Sequence, residues 1–284
     1  MTEELQKKID RAIKLIQSAS KIAAKNGCTE IEVCYSGGKD SDVILELTKM
    51  AGVPYRAIYK NTTIDPIGTI KHAKEMGAEV LRPKRTFFEI IEKHGFPTRF
   101  RRFCCRYLKE YKVLDYAIVG IRRDESVKRA KIYKEPEMCR VYSKKEKCRL
   151  YLPILDWTSK DVEEFILERG IKCAPVYYDE QGNFHVERRL GCLCCPLTGM
   201  RKRLDHFKEH PNMIKAYARH GEKYRRSHPN SSWVKNHTDV YAQIVHDLFY
   251  CNNQQGWRDL NSGFLPPPIY KDFLEDYFKI KFKE

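Results

Sequence analysis

The segment from Ile31 to Ala51 constrains the fold more than any other part of the sequence. The apolar run IEVCY is followed by SGGKDS, and then by apolar residues at helical spacing. A strand, a glycine turn and a helix in this order bring backbone amides and a helix N-terminus to one point, where a phosphate can bind. The residues predicted to hold this phosphate are Ser36, Gly37, Gly38, Lys39, Asp40 and Ser41.

The same alternation continues along the chain. YRAIYKN and AEVLRP are typical of strands separated by the helix IGTIKHAKEMG, and YAIVG and LYLPILDW predict two further strands. Because parallel strands are joined by helical crossovers, this order predicts an α/β fold with a mainly parallel, Rossmann-like sheet flanked by helices. We predict that this domain covers residues 1–174 and includes an N-terminal amphipathic helix.

The alternation stops after residue 174. Residues 175–284 contain the motif GCLCCPL, several basic helical stretches and a proline-rich segment at 266–268 before a last helix. His206 and His210, four residues apart, are predicted to lie on a solvated helix face. We therefore predict a smaller, cysteine-containing and helical C-terminal region.

The formal net charge of +15 indicates an anionic partner. Aromatic residues lie among basic ones in RFRRFCCRYLKEYK and YARHGEKYRRSHPNSSW, which is typical of RNA or DNA binding and also of an ordinary solvated surface. No apolar run approaches the ~20 residues that cross a bilayer, and the first residues lack the apolar core of a signal peptide. We expect a cytoplasmic protein without membrane contact, whose 11 cysteines are mostly reduced.

Five of the cysteines form two clusters. Cys104 and Cys105 are adjacent, whereas Cys192 and Cys195 form a CxxC motif with Cys194 inside it. Four thiolates hold either a tetrahedral zinc ion or a [4Fe-4S] cluster, and the spacing alone leaves both open. Of the others, Cys139 and Cys148 are predicted to be surface thiols, and the following are predicted to pack as small apolar side chains: Cys28, Cys34, Cys173 and Cys251.

The glycine loop resembles the PP-loop of the adenine-nucleotide α-hydrolases, and the later motifs resemble the phosphoadenosine phosphosulfate (PAPS) reductase branch. KNTTIDP is similar to the second nucleotide-contacting turn of that branch, GIRRDESVKR to its arginine-bearing loop, and YLPILDWTSKDVEEFI to its next strand and helix. The resemblance runs from about Ile31 to Pro196. It implies further nucleotide contacts from Thr62, Asp65, Gly120, Arg122, Arg123, Glu125, Ser126 and Arg129.

Catalytic and cofactor roles follow for some of these residues. Lys39 and Asp40 are the predicted catalytic residues of the loop, with Asp40 holding Mg²⁺ and Arg122 and Arg123 clamping a phosphate or sulfate group. The iron–sulfur members of the branch use a tandem Cys-Cys followed much later by CxxC. The resemblance therefore implies a [4Fe-4S] cluster, with zinc as the alternative, on Cys104, Cys105, Cys192 and Cys195.

Three functions are compatible with the sequence. Reductases of this branch attack with a cysteine in a C-terminal motif resembling ECGLH, and no cysteine follows Cys251 here. This favours an ATP pyrophosphatase that adenylates an acceptor and transfers sulfur onto nucleic acid, with Cys194 or a sulfur donor protein carrying the sulfur. The alternatives are a reductase that converts PAPS or adenosine phosphosulfate (APS) to sulfite with a thiol reductant, and a non-catalytic nucleotide-binding partner of a larger assembly.

Overall fold

The computed structural model describes residues 1–143, 146–262 and 269–282, so the predicted proline-rich segment at 266–268 lies outside the described residues. The chain divides into two compact units. The first comprises Met1–Pro83 and Tyr107–Gly191, and the second comprises Lys84–Arg106 and Cys192–Glu284. This division differs from the predicted boundary at residue 174, because it depends on packing between segments that are far apart in the sequence.

The first unit is built on one six-stranded sheet, which confirms the predicted α/β class. All neighbouring strands pair in parallel except the last pair, and the strand order is β3-β2-β1-β4-β6-β5. The strands are β1 (Ile31–Tyr35), β2 (Tyr55–Lys60), β3 (Glu79–Leu81), β4 (Tyr116–Val119), β5 (Glu137–Val141) and β6 (Lys147–Tyr151).

Strand β1 lies at the centre of the sheet, paired on one side with β2 and on the other with β4. The chain runs outward from β1 through β2 to β3 and then returns to the opposite side of β1. Ligands of open α/β sheets bind outside the carboxyl ends of the strands at such a reversal. The topology therefore indicates that a ligand would bind at the loops that follow β1 and β4.

Strand β5 was not predicted. It is an antiparallel edge strand that pairs with β6, and its residues alternate between exposed and partly buried. Its sequence EMCRV has charged residues at two of its five positions, Glu137 and Arg140, so apolar and polar residues do not alternate as they do in a recognisable strand.

The helices of the first unit begin and end at common capping residues. The hydroxyl of Thr2 accepts the amide of Leu5 at the start of the first helix, and Gly52 and Gly170 end two others in the left-handed conformation. These helices are α1 (Glu3–Lys25), α2 (Lys39–Ala51), α3 (Thr69–Glu75), α6 (Val127–Ile132) and α7 (Ser159–Arg169).

The core of the first unit lies between these helices and the sheet. Helix α1 buries a stripe that includes Leu5, Ile9 and Ile16, as its spacing predicts. Strand β1 is buried at four of its five positions, as expected for the central strand of a sheet that is covered on both faces. The loop after β1 is thus attached to the most buried strand of the sheet.

The second unit is helical. Its helices are α4 (Phe87–His94), α5 (Phe103–Leu108, which continues past Arg106), α8 (Met200–Glu209), α9 (Pro211–Ser227), α10 (Ser232–Lys235), α11 (Val240–Val245), α12 (Gln254–Leu260) and α13 (Tyr270–Phe278). Phe87, Phe96 and Phe207 pack their rings on Tyr217, with centroids 5.2–5.9 Å away. None of the described helices is long and apolar enough to cross a membrane.

Candidate functional site

The loop after β1 turns tightly through two glycines. Gly37 has φ +76°, and a Cβ atom there would lie 2.8 Å from Thr69 Cγ2. Gly38 precedes α2 without a side-chain cap, and the hydroxyl of Ser41 donates to its carbonyl over 2.6 Å. The first turn of α2 is therefore not closed off by a capping side chain, which leaves the positive end of its dipole for an anion.

Gly120, which follows β4, is required by its distance from this helix. A Cβ atom on Gly120 would lie 2.8 Å from the carbonyl oxygen of Asp40, and this contact is with backbone. A methyl group cannot fit there unless β4 or the start of α2 moves. The close approach of the two chain segments is thus the reason for a glycine at this position.

We expect Gly120→Ala to weaken nucleotide binding at least tenfold and to destabilise the protein by about 1–3 kcal/mol, as overpacking does. Gly191→Ala is the matched control, because a Cβ atom on Gly191 meets nothing within 4 Å. Binding of a fluorescent ATP analogue and urea unfolding would measure the two effects. Equal binding affinity and equal stability of the two variants would contradict the requirement for a glycine at position 120.

A cleft of about 510 Å³ opens beside the glycine turn at the carboxyl ends of β1, β2 and β4. It lies entirely within the first unit. Nine of the predicted nucleotide-binding residues line it, namely Ser36, Gly38, Lys39, Asp40, Ser41, Asp65, Gly120, Glu125 and Arg129. The structure thus brings together residues from three separate predicted motifs.

Lys39 is the first residue of α2 and is only 5% exposed. Its Nζ lies 3.4 Å from the carbonyl oxygen of Arg188 and 5.3 Å from the centre of the Tyr177 ring. Burial lowers the pKa of Lys39, and the nearby Asp40 carboxylate partly offsets this effect. Because little water surrounds this ammonium group, its attraction to a phosphate is only weakly screened.

Asp40 is held by Arg122. The Arg122 Nε donates to Asp40 Oδ1 over 2.6 Å, and its Nη1 donates to Asp124 over 3.1 Å and to the Trp157 carbonyl over 3.3 Å. Only 2% of the Arg122 side chain is exposed, and it does not line the cleft. In this structure its guanidinium group positions Asp40, whereas the sequence predicted that it would clamp a phosphate.

Arg123 also points away from the cleft. It pairs with Asp156 and donates to the carbonyls of Tyr133, at 2.9 Å, and Lys134. The phosphate clamp predicted for this residue is not supported by these contacts, because its donors hold the loop that follows helix α6. Sequence pattern alone does not distinguish the two arginines, since both sit in the same charged run.

We expect Arg122→Ala to destabilise the first unit by about 3 kcal/mol, because it leaves Asp40 without its main partner in a largely buried setting. This is the low end for a broken buried pair, since the Asp40 and Asp124 side chains keep 16% and 44% of their exposure. Arg123→Ala should cost about 1 kcal/mol or less, as expected for an exposed pair. Equal losses in urea unfolding would contradict this difference.

Two other predicted residues act through their neighbours. The amide and hydroxyl of Thr62 donate to the two carboxylate oxygens of Asp65 over 2.9 and 2.5 Å, so Thr62 orients Asp65 toward the cleft. Ser126 accepts the amide of Arg129 over 3.2 Å and caps helix α6. Arg129 itself pairs with Glu125, and burial lowers its pKa.

Sequence reasoning missed several residues of the cleft. Arg189 lines it and donates to the carbonyl of Glu125 over 2.8 Å. Tyr177 also lines it, with its hydroxyl accepting the amide of Leu190 over 3.3 Å. Lys60, at the end of β2, pairs with buried Glu32 at 3.4 Å, and its place at the carboxyl end of a strand was the available signal. Arg189 and Tyr177 gave none, because they come from the region predicted to lie outside the domain.

The four predicted metal ligands all belong to the second unit, although they come from two segments that are distant in the sequence. Cys104 is buried near the start of α5, and its pKa is raised by a hydrogen bond with Cys105, by burial and by the nearby Cys195. In the described residues, no group of three or more His, Cys, Asp or Glu side chains is close enough to hold a metal ion. The donor set, which consists of thiols alone, has the chemistry that zinc or an iron–sulfur cluster requires.

Cys194, which was predicted to carry sulfur, lies in a buried position. It adopts φ +55°, and its amide donates to His206 Nδ1 over 3.2 Å while its carbonyl accepts Arg203 Nε over 3.1 Å. Its thiol is fully buried, and burial raises its pKa to about 12. These contacts argue against a thiolate nucleophile here, and they show that His206 supports the CxxC loop instead of lying on a solvated face.

The remaining cysteines partly match expectation. Cys173 is buried and Cys139 is exposed, as predicted. Cys148 is not a surface thiol, because it lies on the inner face of β6 and burial raises its pKa to about 12. The last three are only partly buried: Cys28, Cys34 and Cys251.

These features define a class of protein before any comparison. A parallel sheet with an uncapped glycine turn at its reversal point, next to a cation-lined cleft, is the architecture of a Rossmann-like PP-loop nucleotide-binding protein. The sequence profile of the phosphoadenosine phosphosulfate reductase domain matches residues 30–198. The chain therefore belongs to that family.

Similar proteins leave the reaction open. An uncharacterized protein of Methanocaldococcus jannaschii is 32% identical over 68% of this chain and 49% of its own length, so the chain spans about half of this relative. Candida glabrata FMN adenylyltransferase, solved with FMN and the ATP analogue AMPCPP, shares 17% identity over 61% of this chain and 59% of that chain, with a TM-score of 0.42. The U34-tRNA thiolase NcsA of Methanococcus maripaludis, solved with its [4Fe-4S] cluster, shares 15% identity over 78% and 81%, with a TM-score of 0.35. With TM-scores below 0.5, neither structure bears on what this chain does.

Proposed function

We propose that this chain binds ATP in the cleft of the first unit, transfers the AMP group to an acceptor oxygen with release of pyrophosphate, and then exchanges that oxygen for sulfur. The observation that carries the proposal is the uncapped N-terminus of α2 in a cleft lined by Lys39, Arg129 and Arg189. Helix amides and several cations in one cleft match the charge of a polyphosphate chain.

The proposed AMP transfer uses the helix amides and the cations of the cleft. The acceptor oxygen attacks the α-phosphorus of ATP, the bond from that phosphorus to the bridging oxygen breaks, and pyrophosphate leaves with the electron pair. Lys39 and the first amides of α2 stabilise the charge that develops on the leaving group. The AMP ester turns a poor leaving oxygen into a good one, so a sulfur nucleophile can then displace AMP.

The contacts of the carboxylates in the cleft limit which of them can bind Mg²⁺. Asp40 was the predicted ligand, but its Oδ1 accepts from Arg122 at 2.6 Å and its Oδ2 lies 3.6 Å from Lys39 Nζ. A carboxylate between two cations is a poor ligand for Mg²⁺. Asp65 also lines the cleft, and we propose this carboxylate for a metal ion that enters with ATP.

The proposed acceptor is nucleic acid. The net charge of +15 concentrates polyanions near the protein and speeds their encounter. Much of this charge lies on the second unit, where one exposed basic segment surrounds Phe100 and contains Arg99, Arg101, Arg102 and Arg106. Arginines that alternate with aromatic residues suit a phosphate backbone with unstacked bases.

The cysteine centre would sit beside the sulfur chemistry. Cys104, Cys105, Cys192 and Cys195 would hold a [4Fe-4S] cluster, with zinc as the alternative; because four thiolates occupy all four irons, the sulfur itself would come from a separate donor. The sulfur donor protein is a further proposed partner. Cys194 is better suited to holding the loop between these ligands, because its backbone is fixed by His206 and Arg203.

A second candidate is favoured by the family itself, whose description is that of PAPS reduction. In that reaction a thiolate attacks the sulfur of PAPS or APS, and a thiol reductant releases sulfite. Cys251, which is partly exposed in the second unit, is the cysteine to examine as nucleophile. A non-catalytic nucleotide-binding protein is the third outcome.

One experiment separates these functions. We expect purified protein to release pyrophosphate from ATP, and to do so at least tenfold faster with total cellular RNA or with DNA, because a positioned acceptor completes the reacting geometry. PAPS and APS with a thiol reductant form the competing assay. Sulfite release without pyrophosphate would replace the proposal by sulfonucleotide reduction, and tight ATP binding with neither product would leave a binding protein.

A further inference from the structure

A short basic turn in the second unit exposes a phenylalanine. The amide of Thr98 donates to the Arg101 carbonyl over 3.2 Å, and the amide of Arg101 donates to the Thr98 hydroxyl over 3.1 Å. Arg99 and Phe100 therefore stand at the tip of a closed turn, and the Phe100 side chain is 93% exposed. Just before it, Phe96 is buried against Tyr217 and anchors the segment.

Behind this turn lies a pocket of about 280 Å³. Arg99 and Phe100 form one side of it, and Trp233, His246 and Cys251 lie among the residues of the other sides. All its lining residues belong to the second unit. Its volume lies just below the ~300 Å³ at which small-molecule sites begin, so it suits a single base and not a whole nucleoside triphosphate.

One wall of the pocket is formed by Trp233 and His246, and His246 is in turn backed by His237 and Trp257. His237 Nδ1 donates to the Trp233 carbonyl over 2.7 Å, so its Nε2 accepts from His246 Nδ1, also over 2.7 Å. The His246 ring is stacked between Trp233 and Trp257, with interplanar angles of 20° and 10°. Burial lowers the pKa of both histidines, which keeps this chain of neutral rings in one arrangement.

The floor of the pocket is polar but charge-balanced. Asp247 lines it and accepts from Arg203 Nη2 over 2.6 Å, and both side chains are buried. A carboxylate fixed in this way can accept a hydrogen bond from the amino edge of a base. The exposed Arg99 also lines the pocket, and the same short segment carries three further exposed arginines, Arg101, Arg102 and Arg106.

We propose that this pocket receives one unstacked base of a single-stranded nucleic acid, with Phe100 stacking on that base or its neighbour and the surrounding arginines contacting the phosphates. The proposal rests on the proposed function, since it describes how the acceptor is bound. An aromatic ring exposed on a rigid basic turn, with a base-sized pocket behind it, is the arrangement that binds single strands with little dependence on sequence. A duplex would not offer a free base.

The first test is binding. Fluorescence anisotropy would follow a labelled single strand of about 12 nucleotides, as RNA and as DNA, since single-strand sites span ~4–16 nucleotides. We expect Phe100→Ala to bind about 5- to 100-fold more weakly than wild type. Ile269→Ala is the matched control, because Ile269 is also an exposed apolar residue of the second unit, at 68% exposure.

A second variant covers the case in which Phe100→Ala does not fold, as judged by its thermal unfolding curve. Arg99→Gln should lower the dependence of log K on log salt by about 0.7, the value for one lost phosphate contact on a single strand. Unchanged affinity in Phe100→Ala together with an unchanged salt dependence in Arg99→Gln would overturn the proposal. Equal affinity of wild type for the corresponding duplex would also overturn it.

The second test uses the thiol in the pocket wall. Cys251 lines the pocket and is partly buried, whereas Cys139 of the first unit is exposed and serves as an internal control. We expect the single strand to slow alkylation of Cys251 by iodoacetamide at least fivefold, with no change at Cys139, as measured by peptide mass spectrometry. Protection of Cys251 by ATP alone to the same degree would overturn the proposal.

Failure of this inference and failure of the proposed function are distinguishable. If wild type releases no pyrophosphate but the single strand protects Cys251 and Phe100→Ala loses affinity, the pocket is supported and the reaction is wrong. If nucleic acid stimulates pyrophosphate release but Cys251 is not protected and Phe100→Ala binds as wild type does, the reaction is supported and the pocket is wrong.

Discussion

Lys39→Met is expected to lower nucleotide turnover about 100- to 1,000-fold, the loss typical of removing one preorganised group that stabilises transition-state charge. Lys39 is the first residue of α2, is 5% exposed and has few partners besides Asp40 and the Arg188 carbonyl. Methionine keeps most of the apolar length of the side chain and removes the charge, which lies 5.3 Å from the centre of the Tyr177 ring. The measurement is kcat/KM for pyrophosphate release from ATP.

The control for this prediction lies on the same helix. Lys49 is exposed in the last turn of α2, so Lys49→Met makes the same chemical change far from the cleft. We expect wild-type turnover from this variant, and thermal unfolding of both variants close to wild type. Turnover of Lys39→Met within threefold of Lys49→Met would show that Lys39 does not act on the nucleotide.

The pH dependence of ATP binding gives an independent check. Burial lowers the pKa of Lys39, so its positive charge is lost at a lower pH than that of an ordinary lysine. ATP affinity should therefore be highest below that pKa and should fall as the pH rises through it. Lys39→Met should lack this alkaline decrease, whereas Lys49→Met should retain it.

Cys192→Ser is expected to remove essentially all of the iron from the protein. If Cys104, Cys105, Cys192 and Cys195 hold a [4Fe-4S] cluster, wild type purified without oxygen should contain about four irons per chain and show broad visible absorption. Serine is a harder and weaker ligand for iron than thiolate, so loss of one ligand should empty the site. Iron analysis and the absorption spectrum of the anaerobic protein would measure this.

The matched control is Cys139→Ser, which changes an exposed cysteine of the first unit and should keep all the iron. A colourless wild type with one zinc ion per chain, lost in Cys192→Ser, would replace the iron–sulfur proposal by a zinc site. Equal iron content in the two variants would exclude Cys192 as a ligand. Both outcomes are independent of whether the protein turns over ATP.

Much of the candidate nucleotide site could be predicted because its signals are local. The run Ile31–Tyr35 is apolar at nearly every position, and the two glycines that follow permit the turn and the φ of +76° at Gly37. Helix α2 then begins at Lys39 because Gly38 provides its extended N-cap. These properties depend on residues within a few positions of one another, so sequence alone reveals them.

The role of each arginine could not be predicted in this way. Arg122, Arg123 and Arg129 share one charged run, yet Arg122 is buried beneath Asp40, Arg123 faces Asp156, and only Arg129 lines the cleft. Arg189 reaches the same cleft from a segment more than fifty residues later. A long charged side chain takes the direction of whichever partners the fold presents to it, and these partners are distant in the sequence.

The sequence by itself determined the α/β class, the order of the first strands and helices, the glycine turn after β1 and the two cysteine clusters, because dihedral preferences and apolar spacing are local properties. Only the tertiary structure decided that residues 84–106 join the second unit, that Gly120 must be a glycine beside the Asp40 carbonyl, and that the Cys194 thiol is buried. Each of these depends on the close approach of segments that are far apart along the chain, and close packing leaves room for one arrangement only.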